Sequence, residues 1–190
     1  RGVSVLAVLA YHLRPDAAPS GFLGVDLFFV VSGYLMATLY RDLTPSGAGE
    51  FFRRRAARLI PAYVATVVVT LTAGAFILYP QELESARRSA MYAAGLIPNV
   101  GFWLHDTYFS PDLVRPLLHL WTIGVEIQFY LIFPLMLWLW RRSRTAVIAL
   151  LALNLIACLV MTEVSARTSF YLTPFRLWEF GLGFLAAQML

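Results

Sequence analysis

Long apolar runs limit what this chain can become more than any other feature. Leu59 to Tyr79 and Thr145 to Met161 carry no charged residue, Phe22 to Tyr40 carries only Asp26, and His119 to Trp140 carries only Glu126. A helix of about 20 such residues crosses the hydrocarbon of a bilayer. With Gly2 to Leu13 at one end and a further run from Phe175 at the other, the pattern predicts an all-α, polytopic transmembrane helical bundle with about six spans. Composition agrees: 59% of the 190 residues are hydrophobic and only 14% are charged, too little charge to wet the surface of a soluble domain. No initiating Met or signal-peptide pattern opens the chain, and it stops inside an apolar run, so we read it as a segment of a longer protein.

The net charge is +4 and every cation is arginine. In a membrane chain such a balance reports orientation rather than nucleic-acid binding. The region Pro80 to Leu118 decides it. Within that region Met91 to Leu104 is apolar but short and holds Pro98, Asn99 and two glycines, which suits a short re-entrant or interfacial helix between spans three and four. If it does not span, Arg1, Arg41, Arg53, Arg54, Arg55, Arg58, Arg141, Arg142 and Arg144 share one side, nine of the 15 arginines. The positive-inside rule makes that side cytoplasmic, in a plasma (inner) membrane crossed many times. The basic stretch Arg53–Arg55 also suits anionic lipid headgroups. Cys158 reads as a small core residue.

Ionisable groups at membrane depth are costly and mark functional candidates. Arg1 and His12 flank one apolar run; in a helix, eleven steps return His12 to within about 20° of Arg1, roughly 16 Å along the axis. Asp26 is a candidate carboxylate, with an alternative reading as a first-turn acid at a helix N-terminus. Glu126 follows His119 by two turns on nearly the same face, and Tyr130 continues that stripe, so a histidine base with its orienting acid is one reading. Gln128 points nearly the opposite way and suits a bridge to another helix. Arg176 and Glu179 are spaced to pair. His105 reads as a solvated loop histidine. No metal-ligand spacing, phosphate loop or nucleophile elbow occurs.

Five blocks, in order, resemble one family. Arg1-Gly-Val-Ser-Val-Leu-Ala-Val-Leu-Ala-Tyr-His12 resembles the Arg-x10-His signature of the membrane acyltransferase family 3, which contains O-acetyltransferases of cell-surface glycans. Gly24 to Tyr34 resembles its second-helix motif, Phe52 to Tyr63 its basic entry to helix three, His119 to Tyr130 its His-x-Trp-Ser-x-x-x-Glu-Glu-Gln-Phe-Tyr block, and Phe175 to Gly183 its Arg-x-x-Glu-Phe helix start. Thr122 stands for the family's Ser, and Ile127 replaces the second acid of Glu-Glu. The resemblance covers nearly the whole chain and implies the N-terminal part of a membrane acyltransferase domain over residues 1–190, its later spans missing.

It further implies transfer of an acyl group, acetyl above all, from cytoplasmic acyl-CoA to a hydroxyl of a glycan or lipid-linked sugar beyond the membrane. On this reading His12 is the base or acyl relay, with Glu126 and Asp26 as catalytic acids. Arg1, Arg58, His119, Arg176 and Tyr130 contact the donor or acceptor. The implied partners are acyl-CoA as donor substrate, the glycan and the bilayer, with no bound cofactor, no metal and no nucleic acid. Two alternatives remain: a proton-coupled transporter, and a non-catalytic scaffold of the same family, for which Ile127 speaks.

Overall fold

The computed structural model of the chain describes residues 1–105 and 114–189. Among them there are eight α-helices and no strand: α1 (Gly2–Leu13), α2 (Gly24–Leu39), α3 (Ala48–Ile77), α4 (Pro80–Ala94), α5 (Pro98–His105), α6 (Leu120–Arg142), α7 (Arg144–Tyr171) and α8 (Leu177–Met189). Four helical stretches are long and apolar enough to cross a membrane: Gly21–Leu39, Pro45–Ile77, Leu120–Arg142 and Arg144–Tyr171. α1, at 12 residues, and α8, at 13, are apolar but shorter.

Three boundaries differ from the sequence reading. The arginines from Arg53 to Arg58 do not lie in a loop: α3 starts at Ala48, and Glu50 in its first turn holds Arg53 (2.7 Å) and Arg54 (2.5 Å) at i+3 and i+4, which supports a helix start. Met91–Leu104 is not one piece but the end of α4 and most of α5, broken at Gly95–Ile97, where Leu96 takes a φ of 58°. The stretch Glu163 to Pro174, expected to lie outside the helices, is helical as far as Tyr171. Its backbone breaks at Ser165 (φ −158°, ψ 91°), and the Ser165 hydroxyl then accepts the Thr168 N–H at 3.3 Å, restarting the helix as an N-cap does.

The chain forms two compact units, with the divisions falling inside α6 and α7. In the first (Arg1–Asp42, Leu135–Cys158, Pro174–Leu190), α2 is the central helix. Gly21 lies against Ala7 and Tyr11, Gly24 against Ser4, and Phe28 beneath the Arg1 guanidinium, so α1 runs antiparallel to α2. Asp26 reaches Arg176, Phe29 stacks on Phe180 at 4.7 Å, and Arg41 donates to the Ala187 carbonyl at 2.9 Å, so α8 runs parallel to α2. At 100° per residue, Gly24 and Phe28 lie on one side of α2 and Asp26, Phe29 and Gly33 on the other. α2 is therefore sandwiched. A Cβ on Gly33 would collide with the Phe180 carbonyl, and one on Gly183 with that of Val30; side-chain-free positions are what let two helix backbones touch.

In the second unit (Leu43–Pro134, Leu159–Thr173), Tyr63 of α3 sits in a core with Ala90 and Ala93 of α4, Leu117 and Leu120. Its hydroxyl donates to the Ala93 carbonyl at 3.0 Å. One turn of α5 is tied down by a buried polar chain. Thr173 Oγ1 donates to Gln128 Oε1 (2.6 Å), Gln128 Nε2 to Asn99 Oδ1 (2.9 Å), and Asn99 Nδ2 to the Tyr171 carbonyl (3.1 Å). Gln128 thus makes the interhelical bridge that its phase on α6 suggests.

Candidate functional site

In the first unit the candidates sit on α1, α2 and the start of α8. Arg1 precedes α1, its guanidinium carbon 5.1 Å from the centre of the Phe28 ring. His12 is in the last turn of α1, exposed, with Nδ1 2.8 Å from the Val8 carbonyl oxygen. A carbonyl only accepts, so Nδ1 carries a hydrogen; in the neutral ring Nε2 then holds the lone pair. The two residues therefore stand at the two ends of one helix, as their spacing requires.

Asp26 belongs to a different grouping. Arg176 Nη1 donates to Asp26 Oδ1 at 2.8 Å and to Glu179 Oε1 at 2.5 Å. Glu179 is fully buried, and 12% of the Arg176 side chain and 34% of that of Asp26 are exposed. Both acids lie in the first turn of parallel helices. The antiparallel register puts Asp26 level with Ser4, about 12 Å along the axis from His12, on the side of α2 that faces away from α1. The structure brings Asp26 to Arg176, not to His12. Asn154, from the middle of α7, accepts the Trp178 N–H at 2.9 Å and donates to the Pro174 carbonyl, capping the start of α8 from outside.

In the second unit Glu126 is 1% exposed, and Tyr130 Oη donates to its Oε1 at 2.6 Å. The Arg55 guanidinium, on a residue 7% exposed, lies 5.5 Å from the centre of the Tyr130 ring. Arg58 is exposed. Sequence reasoning chose Arg58 and passed over Arg55. Phase alone does not separate them: Arg55 and Arg58 follow buried Phe51, which stacks on Phe133 at 5.8 Å, by four and seven residues and so share its face. His119 stands in the turn before α6, where its carbonyl accepts the Thr122 hydroxyl at 2.9 Å. The residue reaches the surface, yet protein around the ring pushes the imidazole pKa below its ordinary value, against a hydrogen bond with Pro116 that acts the other way. His105 is not solvated alone: it ends α5 and its Nε2 lies 2.8 Å from the Tyr92 hydroxyl. Among the described residues no group of three His, Cys, Asp or Glu side chains is placed to hold a metal ion.

Paired ionisable groups on helices that cross a membrane define an integral membrane protein built around buried polar chemistry. The family model described as "Acyltransferase domain" matches residues 1–190; the chain belongs to that family. It is 37% identical over 142 residues to the O-acetyltransferase OatA of Staphylococcus aureus (strain NCTC 8325 / PS 47), covering 72% of this chain and 23% of that protein. It is 39% identical over 140 residues to the peptidoglycan O-acetyltransferase OatA of Listeria monocytogenes, covering 70% and 22%. A putative O-acetyltransferase of S. aureus strain COL is 35% identical over 142 residues, covering 72% and 23%. The chain thus spans less than a quarter of the length of these curated relatives. No solved structure matches it.

Proposed function

We propose that this chain is part of a membrane O-acyltransferase that moves an acyl group, acetyl above all, from cytoplasmic acyl-CoA to a hydroxyl of a cell-surface glycan or lipid-linked sugar. Family membership and the names of the relatives support the reaction class. One observation carries the chemistry: the bond from His12 Nδ1 to the Val8 carbonyl fixes the tautomer in which Nε2 accepts a proton. His12 then removes the acceptor hydroxyl proton as the oxygen attacks the thioester carbonyl, or carries the acyl group in transit on Nε2. The departing CoA thiolate takes up the proton.

Arg1 lies over Phe28, roughly 20 Å along α2 from Arg41 and not at the basic end where the arginine count placed it; there it suits a phosphate of a donor that reaches that depth, because guanidinium binds phosphate oxygens in a planar fork. Glu126 and Tyr130 act as one hydrogen-bonded pair, and Arg55 is added to the candidates beside Arg58 and His119. Asp26 and Arg176 support the site by holding α2 to α8. The arginine-rich ends face the cytoplasm of a plasma membrane.

His12→Ala in the full-length protein tests this reading. Ester-linked acyl groups released by mild alkali from surface glycan should fall to the level of a deletion strain, with protein abundance unchanged. Unaltered acylation would remove His12 from the reaction.

A further inference from the structure

The depth of the Asp26–Arg176–Glu179 cluster points beyond its own ion pairs. One end of the first unit is a basic collar: Arg141 donates to the Arg41 carbonyl at 2.6 Å and Arg41 to the Ala187 carbonyl at 2.9 Å, joining the C-terminal ends of α6, α2 and α8. Counting up each helix from there gives the height of the cluster. From Arg41 back to Asp26 is about 22 Å, from Ala187 back to Leu177 about 15 Å, and from Arg144 up to Asn154, which caps α8, about 15 Å. With the collar at one edge of a hydrocarbon layer about 30 Å thick, the cluster lies near or a little past the middle.

Two things at that depth are incompatible with lipid. Asp26 leaves 34% of its side chain exposed, and a carboxylate against acyl chains is among the most costly groups in a membrane. The backbone there is also irregular: a turn passes Pro174 and Phe175 before α8, while the 3₁₀ turn Gly21–Leu23 before α2 lies roughly 27–30 Å from Arg41, at the mouth. Non-helical backbone at membrane depth is tolerated where it lines water or is buried in protein. Glu179 adds a third sign. Its Oε2 is buried and receives no donor among the described residues, with the Asp26 carboxyl beside it; such an oxygen suits a water molecule.

We propose that a water-filled inlet enters from the face opposite the basic collar and ends on the Asp26 carboxylate, with the turns before α2 and α8 as its walls. Its ligand is water, whose O–H groups donate to the carboxylate oxygens. Carboxylate oxygens accept such donors, while the two acids of the floor exclude an anionic guest.

The test is cysteine accessibility in the full-length protein in intact cells, on a Cys158→Ser background. A cationic, membrane-impermeant methanethiosulfonate is added from outside. Asp26→Cys should react at a rate within about tenfold of Ser20→Cys in the exposed loop before α2. Leu23→Cys, one turn nearer the mouth, should react as well and serves if Asp26→Cys does not accumulate. Protection of both positions, when Ser20→Cys reacts and the denatured variants label fully, would overturn the inlet. The labelling needs no catalysis, so loss of the His12 reading would leave this result standing, and the converse also holds.

Discussion

At the scale of single residues, the most informative contact is a phenol on a buried acid. Glu126 is almost inaccessible and receives the Tyr130 hydroxyl at 2.6 Å. Tyr130→Phe removes that donor and keeps the ring under Arg55, so its effect reports on the hydrogen bond to the buried acid. The expected loss is about 1–3 kcal/mol, read as a lower Tm of the full-length protein in detergent. In Glu126→Ala the same Tyr130→Phe change should cost distinctly less, because the acceptor is gone. Equal losses in the two backgrounds would mean that the phenol does not serve the acid. Periodicity showed that Glu126 and Tyr130 share a face, and that Gln128 points elsewhere. It could not show that Arg55, rather than Arg58, turns inward, since every residue from Arg53 to Arg55 is equally cationic and only the partner's surface distinguishes them.

At the scale of elements, α2 and α8 form the tightest pair. Parallel helices meeting through Gly33 and Gly183 have no room for even a methyl group at either position. Gly183→Ala should lower the Tm of the full-length protein, by an amount equivalent to about 1–3 kcal/mol of overpacking. Gly49→Ala is the matched comparison: no atom lies within 4 Å of the added carbon, and a helical Ala is neutral or better by up to about 1 kcal/mol. Similar effects at the two sites would refute the close approach. Helix existence was plain from the apolar runs, but several ends were not. Ser165 acts as a cap in the middle of a continuous polar-apolar stretch, and Leu96 takes a left-handed φ beside a glycine that does not. In both places tertiary contacts overrule what the local residue types suggest: Trp103 Nε1 reaches Thr168 Oγ1 at 3.1 Å, and Leu96 packs on the core around Tyr63.

For the whole molecule, the count of arginines on each side depends on Pro80 to Leu118 not crossing. The structure gives that region two short helices, α4 of 15 residues and α5 of 8, in place of a single long one. Residues 106–113 lie outside the described part. If the positive side is cytoplasmic, cysteines introduced at Ser46 and at Arg142 should both resist an impermeant thiol reagent in intact cells and react after permeabilisation. Reaction of only one of them from outside would place a crossing between α3 and α6. The pairing of Arg176 with Glu179 was legible from spacing. Its extension to Asp26 was not, because 150 residues separate the two, and nothing local announces that α8 lies alongside α2.

The collar of Arg41 and Arg141 has one more implication. The same guanidinium groups that bias how the chain threads into a bilayer also fill the bonding needs of exposed carbonyls where helices finish. Insertion and anchoring therefore share these two side chains, so changing either residue touches both properties. A variant stripped of those two cations should loosen the helix ends they hold and weaken the charge bias in one stroke, with the remaining arginines keeping part of that bias.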